Sequence, residues 1–267
     1  MKQRTAILAS IGIVMGLVAA IGMPTAVATA KSSEKAPARP PIVDPRADEL
    51  LRAMSTYLAD AKQFSFRAAI DYDEVLPTGQ KVQFAAIEDV AVQRPNRAYV
   101  EYQGDVAAKR MWYDGKQLTV LDGAEKVYAT TPVPGKLDAA LAKMEDDHGF
   151  SPPLAELLFD DPYTALKENV VFGLYMGLHD VDGKRCHHLA FVNKEVDWQI
   201  WIEDGTQAVP CKVVVTYKQL PGSPQFAAVL SDWRTGERLA ETIFKPMIPD
   251  GVRKIDFVNV EQSPAKP

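Results

Sequence analysis

Two cysteines and four histidines are all that 267 residues provide of the side chains most used for nucleophilic and metal chemistry. The chain also has no Gly-x-Ser-x-Gly elbow, no His-Glu-x-x-His pair and no glycine-rich phosphate loop. Those absences remove the commonest routes to serine hydrolysis, zinc hydrolysis and nucleotide chemistry, and no cofactor is expected. Positive charge is scarce too, with 30 Lys plus Arg against 35 Asp plus Glu. That balance excludes a nucleic-acid footprint and unaided adhesion to anionic lipid. No unit repeats along the chain.

A long apolar run is present from Thr5 to about Met23. Lys2 and Arg4 precede it, and Ala28, Thr29 and Ala30 follow, which is the order of a secretory signal peptide cleaved after Ala30. The run is long enough that an uncleaved membrane anchor is the alternative. No cysteine lies near the cleavage site to carry a lipid. Removing residues 1–30 takes away two basic and no acidic residues, so the mature chain has 28 basic against 35 acidic groups. Residues 31–43, KSSEKAPARPPIV, have little to bury and read as a flexible tether. Residues 44–262 then form one domain, long enough to bury roughly 70% of its unfolded surface without staples. Residues 263–267 are a tail.

The domain opens with a helix from Asp44 to Ala61, capped by Asp44 with Pro45 at the first helical position. Ala47, Leu50, Leu51, Met54 and Leu58 fall on one face. A long strand follows in which Phe64, Phe66, Ala68, Ile70 and Tyr72 alternate with polar residues. A turn at Leu76-Pro77-Thr78-Gly79 leads to a second, with Val82, Phe84 and Ala86 inward. Strands continue at 98–103, 109–114, 117–122 and 125–130, and the short turns between them imply an antiparallel meander. Between Pro134 and Asn169 the period becomes helical, with starts at Ser151-Pro152 and Asp161-Pro162. Sheet resumes at 170–181, 185–192, 197–203, 209–217 and 226–234, and ends near 254–258. Asp182-Gly183 and Asp204-Gly205 mark hairpins. The expected fold is mainly β (α+β): a curved, incompletely closed antiparallel half-barrel of about eleven strands, with an amino-terminal helix and an inserted helical lid on its concave side.

Such a sheet, covered by amphipathic helices, either packs solid or leaves an apolar hollow suited to acyl chains. The candidate ligand-binding residues are Phe64, Phe66, Ile70, Tyr72, Phe84, Tyr99, Trp112, Leu174, Met176 and Trp198, with Tyr102 and Trp201 beside them. Both faces of some strands are represented, because alternation alone does not say which face is inside. Core packing is the alternative for each.

Three motifs carry a likeness. Val92-Gln93-Arg94-Pro95-Asn96, Tyr113-Asp114-Gly115-Lys116-Gln117-Leu118 and Phe244-Lys245-Pro246 with Pro249-Asp250-Gly251-Val252 resemble, in order and spacing, segments of the LolA/LolB-type periplasmic lipoprotein carriers. The stretch Trp198 to Tyr217 with Asp232-Trp233 is similar to a branch of uncharacterised predicted periplasmic proteins of that superfamily. The resemblance implies a carrier for a lipid or lipoprotein acyl chain. It also implies that Arg94 acts as a lid latch, donating hydrogen bonds to backbone carbonyls of the lid helices. A solvated strand-end arginine is the alternative. A different class of function, an envelope sensor that grips a protein partner through its sheet edge, uses the same fold.

The histidines and cysteines offer one cluster. If Val181 pairs with Lys184, His179 stands opposite Cys186, and His188 lies two residues along the same face. No fourth ligand is evident, so a packed cross-strand patch is expected there and no metal. In a sequential meander Cys186 and Cys211 sit two strands apart, at about 10 Å, beyond the ~7 Å that bridging allows. No disulfide is expected unless the strand order differs. Glu145-Asp146-Asp147 and Asp160-Asp161 read as solvated helix ends and an N-cap.

Overall fold

Alternation with period two runs through most of the chain and builds one thirteen-stranded sheet in the computed structural model, which describes residues 42–133, 135–148 and 152–257. The expected signal peptide, its cleavage site, most of the tether and residues 258–267 lie outside the described residues. In chain order the elements begin with β1 (Ile42–Val43), α1 (Pro45–Asp60), β2 (Gln63–Val75), β3 (Lys81–Gln93), β4 (Arg97–Gly104), β5 (Ala108–Tyr113), β6 (Gln117–Asp122) and β7 (Val127–Pro132). The helical stretch follows as α2 (Leu137–His148), a 3₁₀ turn at Ala155–Leu158 and α3 (Pro162–Lys167). The chain ends in β8 (Phe172–Val181), β9 (Lys184–Val192), β10 (Val196–Glu203), β11 (Pro210–Tyr217), β12 (Gln225–Thr235), a 3₁₀ turn at Glu241–Phe244 and β13 (Arg253–Lys254).

The strand order is β1-β8-β9-β10-β11-β12-β2-β3-β4-β5-β6-β7-β13. Two antiparallel meanders, β2 to β7 and β8 to β12, meet where β12 pairs with β2. The sheet is curved and open, so the chain must travel from β7 near one edge to β8 near the other. The helical insertion makes that crossing over the concave face, where its apolar side chains are buried against the sheet. α1 forms as its sequence dictates. Asp44 Oδ1 accepts from the Arg46 N–H at 2.7 Å, and Ala47, Leu50, Leu51, Met54 and Leu58 are buried. Facing them in one core are Phe64, Phe66, Ile70, Leu189, Phe191, Trp198, Ile200, Ile202, Val213 and Phe226.

The sheet expected near 254–258 is β13, a two-residue strand parallel to β7. Two expectations are corrected. Ile42 and Val43, placed in the tether by composition, are part of the sheet as β1, paired in parallel with Phe172 and Gly173. The second is the disulfide: Cys186 and Cys211 are bonded, with Cα atoms 6.9 Å apart. The strand order β9-β10-β11 is the sequential one, but β11 carries a bulge. Trp201 pairs with Lys212 and Ile202 with Pro210, leaving Cys211 unpaired. A bulge bends the strand and re-aims the extra side chain, and Cys211 packs with Cys186, Val181, Trp201 and Val229 in a small cluster separate from the main core.

Candidate functional site

The opening of the β3–β4 connection, where Arg94 sits, is tied to the concave layer by that arginine. Its side chain is only 10% exposed. Nη1 donates to the Leu158 carbonyl at 2.9 Å and to Asp160 Oδ1 at 3.3 Å, and Nη2 donates to the Leu58 carbonyl at 3.4 Å. Leu58 lies in the last turn of α1, and Leu158 ends the 3₁₀ turn. Both carbonyls belong to helix ends, which lack intrahelical partners. The guanidinium also stands over the Phe64 ring, 5.6 Å from its centroid. Burial lowers the Arg94 pKa, and Asp160 and Asp138 oppose that shift; the group stays charged.

Asp160 gathers the rest of this cluster. It accepts from Lys136 Nζ at 2.8 Å, and its backbone N–H donates to Asp138 Oδ1 at 3.0 Å. Lys136 and Asp138 flank the first residue of α2, whose Leu137 N–H donates to the Pro95 carbonyl at 3.0 Å. The amino-terminal end of α2 and the 3₁₀ turn are thus fastened beside Arg94 by polar groups.

Beyond that cluster, α2 turns Leu137, Ala140, Leu141 and Met144 toward strands β2 to β6, across a hollow of about 40 Å³. Phe66, Val90, Val100, Met111 and Tyr113 form its floor. The hollow has room for about three water molecules and is roughly a tenth the size of a small-ligand pocket. The expectation that sheet and helices leave a chain-sized space is corrected for this arrangement: with α2 down, the side chains nearly fill it.

One polar side chain breaks the apolar floor. Glu88 points inward between Ala86 and Val90, opposite Ala68 and Tyr102, and is 9% exposed. Among the described residues none hydrogen-bonds its carboxyl. Burial pushes its pKa up to about 7, and the neighbouring Asp89 adds to the rise. Glu156, on the 3₁₀ turn, is 3% exposed with Oε1 unpaired, and burial likewise raises it to about 7. Tyr113 also lines the hollow, but its hydroxyl is occupied, donating to the Gly135 carbonyl at 2.6 Å.

Of the ten candidate ligand-binding residues, Phe66 lines the hollow, stacked on Trp233 with ring centroids 4.5 Å apart. Phe64, Ile70 and Trp198 are packed core, Trp198 against Phe191 at 4.3 Å. Tyr72 and Phe84 pack together at 5.8 Å, outside the lining. Tyr99 and Trp112 are corrected to the convex face, because the register alternates them with the inward Ala98, Val100, Met111 and Tyr113. Leu174 and Met176 are corrected to exposed positions on β8. Leu174 stands opposite Ala190, and Met176 lies in a bulge between Tyr175 and Gly177. With Ile42, Phe172 and Leu178 they form an exposed apolar band at that edge of the sheet. Neither Tyr102 nor Trp201 lines the hollow; Trp201 stacks on His188 at 3.9 Å on the convex side.

Sequence reasoning missed Glu88, Glu156 and the part Asp160 takes. For Glu88 the signal was available, since extending the inward positions Val82, Phe84 and Ala86 by two reaches it. Asp161 is the N-cap of α3, accepting from the Thr164 N–H at 3.0 Å. His179 pairs opposite Cys186 in the anticipated register. The Cys186 sulfur is taken by the disulfide, and His188 Nε2 hydrogen-bonds Gln199 Oε1 at 3.0 Å.

The family model described as predicted periplasmic protein (DUF2092) matches residues 47–258, and the chain belongs to that family. Membership places it in the periplasm. Among curated proteins none matches the chain. Similar solved structures include LprF from Mycobacterium bovis, 14% identical over 79% of this chain and 99% of that one, with a TM-score of 0.43. Another is an uncharacterized conserved protein from Thermus thermophilus, 9% identical over 79% and 99%, TM-score 0.46. A third is the lipoprotein LppX of Mycobacterium tuberculosis, 12% identical over 71% and 96%, TM-score 0.42. Among the described residues no helix is long and apolar enough to cross a membrane.

Proposed function

We propose that this member of the predicted periplasmic DUF2092 family is a carrier of the LolA/LolB type, binding an acyl chain of a lipid or lipoprotein between sheet and helices without transforming it. The observation that supports it is how α2 is held: an apolar face laid over an apolar floor, with a hollow between them, fastened at its amino-terminal end by polar groups beside Arg94. A chain enters when α2 and the 3₁₀ turn lift. Ten buried methylenes regain about 8 kcal/mol. Lifting breaks the Arg94 bonds to the Leu158 carbonyl and to Asp160 while the bond to Leu58 on α1 stays; hydrogen bonds to a charged group contribute roughly 1.5–3 kcal/mol each, so cargo can offset the loss of the latch. Native mass spectrometry of protein purified from its own envelope, followed by lipid extraction, tests this. Co-purified acyl lipid is expected; a bare polypeptide that also takes up no added lipid contradicts it.

The second reading, an envelope interaction module, is favoured by β8. Among the described residues no strand pairs with its outer edge beyond Gly173, and Leu174, Met176 and Leu178 are exposed along it. Such an edge accepts an extended segment of another envelope protein by strand addition. A stable protein partner in the same preparation, lost in Leu174→Asp and found without lipid, selects this reading.

A further inference from the structure

We infer that the carrier site, if the preceding reading holds, selects amphiphiles that bear a protonated amine, with Glu88 as the group that receives it. The floor and roof of the hollow offer a ligand one free polar group. Glu88 lies inward on β3, more than nine-tenths buried, lines the hollow, and has no hydrogen-bond partner among the described residues. The other polar side chain of the lining, Tyr113, is committed to the Gly135 carbonyl.

Electrostatics choose the sign of the head group. No Lys, Arg or His lines the hollow. The two cations beside the first turn of α2, Arg94 and Lys136, are both paired with Asp160, and Arg94 is also bonded to two carbonyls. A fatty carboxylate would therefore meet a carboxyl with no counter-ion, whereas an ammonium supplies the charge and the donors that Glu88 lacks. An alcohol supplies a donor without the charge and falls between the two. Burial that holds Glu88 near pH 7 half protonated costs little to reverse once an ammonium arrives, because an opposite charge favours the ionised form.

The test compares dodecylamine, dodecanol and dodecanoate on the full mature protein at pH 7, by calorimetry and native mass spectrometry. Dodecylamine is expected to bind about tenfold or more tighter than dodecanoate, and Glu88→Gln to abolish that preference while dodecanol affinity changes less than about threefold. Glu88→Leu, which fills the same inward position with an apolar side chain, is expected to bind dodecanol at least as well as the parent and so reports a folded site. Lyso-phosphatidylethanolamine as a fourth probe separates the sources of the amine: binding on a par with dodecylamine points to a phospholipid head, and weaker binding to an aminolipid without phosphate. Equal affinity for the three heads, or a preference that survives Glu88→Gln, overturns the amine assignment and leaves the carrier reading standing. Failure of all three to bind overturns both.

Discussion

Arg94 is a buried cation whose donors reach two helix-end carbonyls and one carboxylate. Arg94→Ala strips donors from the Leu58 and Leu158 carbonyls and leaves Asp160 with Lys136 alone. Removing one partner of a largely buried pair costs about 3–5 kcal/mol; Asp160 is a third exposed, so about 2–3 kcal/mol is expected in urea unfolding. Arg94→Lys keeps the charge but loses the planar fork, and is expected to recover less than half of that. The buried carboxyls make a separate prediction. Glu88 and Glu156 have folded pKa values near 7, above the ordinary value of 4.5. The folded state therefore binds more protons than the unfolded state between those limits. Their contribution is fully present below about pH 4.5 and is lost as pH rises through about 7, at roughly 1.4 kcal/mol per pH unit for each group. The melting temperature should fall from pH 5 to pH 8, and Glu88→Gln with Glu156→Gln should flatten that slope. An unchanged slope would show that neither carboxyl is held protonated.

At the scale of elements, α2 and α3 are attached by different means. α3 is bound to α1 by Tyr163 and Lys167, which both donate to Asp48, with Arg52 donating to the Tyr163 hydroxyl at 2.7 Å and lying over its ring. Burial pushes the Asp48 carboxyl up, but those hydrogen bonds outweigh it and hold the group below the usual carboxylate range. α2 buries only Leu137, Ala140 and Met144, and its first turn leans on the Arg94 cluster. Local opening follows low apolar burial, so α2 is the element expected to lift. Hydrogen exchange should show α2 amides exchanging faster than those of α1, and Arg94→Ala should speed α2 about tenfold or more, while the β9 to β11 amides speed up only by the factor that the loss of global stability in urea requires. An α2 rate unmoved by Arg94→Ala would show that α2 opens without breaking the latch. Most of this element structure was legible beforehand. The caps at Asp44 and Asp161 and the alternation of Phe64 to Tyr72 follow local rules that tertiary contacts did not override. What was not legible depends on face and register: alternation pairs Tyr99 with Trp112 but does not say they lie outside, and nothing in Pro210-Cys211-Lys212 announces the bulge that aims Cys211 at Cys186.

For the whole molecule, the join between β12 and β2 places chain ends and middle in one sheet, and the disulfide staples the carboxy-terminal meander across β10. The bridged residues are 25 apart in sequence, a loop whose closure is worth about 3 kcal/mol. Reduction should lower the melting temperature by roughly 6–12 °C, taking 2–4 °C per kcal/mol for a domain of this size, with lipid binding retained because the bond lies on the convex side, away from the hollow. The sheet's openness decides whether this architecture can act as a container. A closed barrel of fixed volume would have to hold its space ready, whereas an open sheet with a hinged cover can collapse when empty, which is how a hollow of 40 Å³ is compatible with carriage. The most direct measurement uses an acyl chain brominated near its terminus, whose heavy atom quenches tryptophan on contact. Trp233 stacks on Phe66 at the floor of the hollow, while Trp112 and Trp201 face the other side. Saturable quenching that disappears in Trp233→Phe is the predicted result; quenching that is absent, or that persists undiminished in that variant, would contradict a chain bound beneath α2.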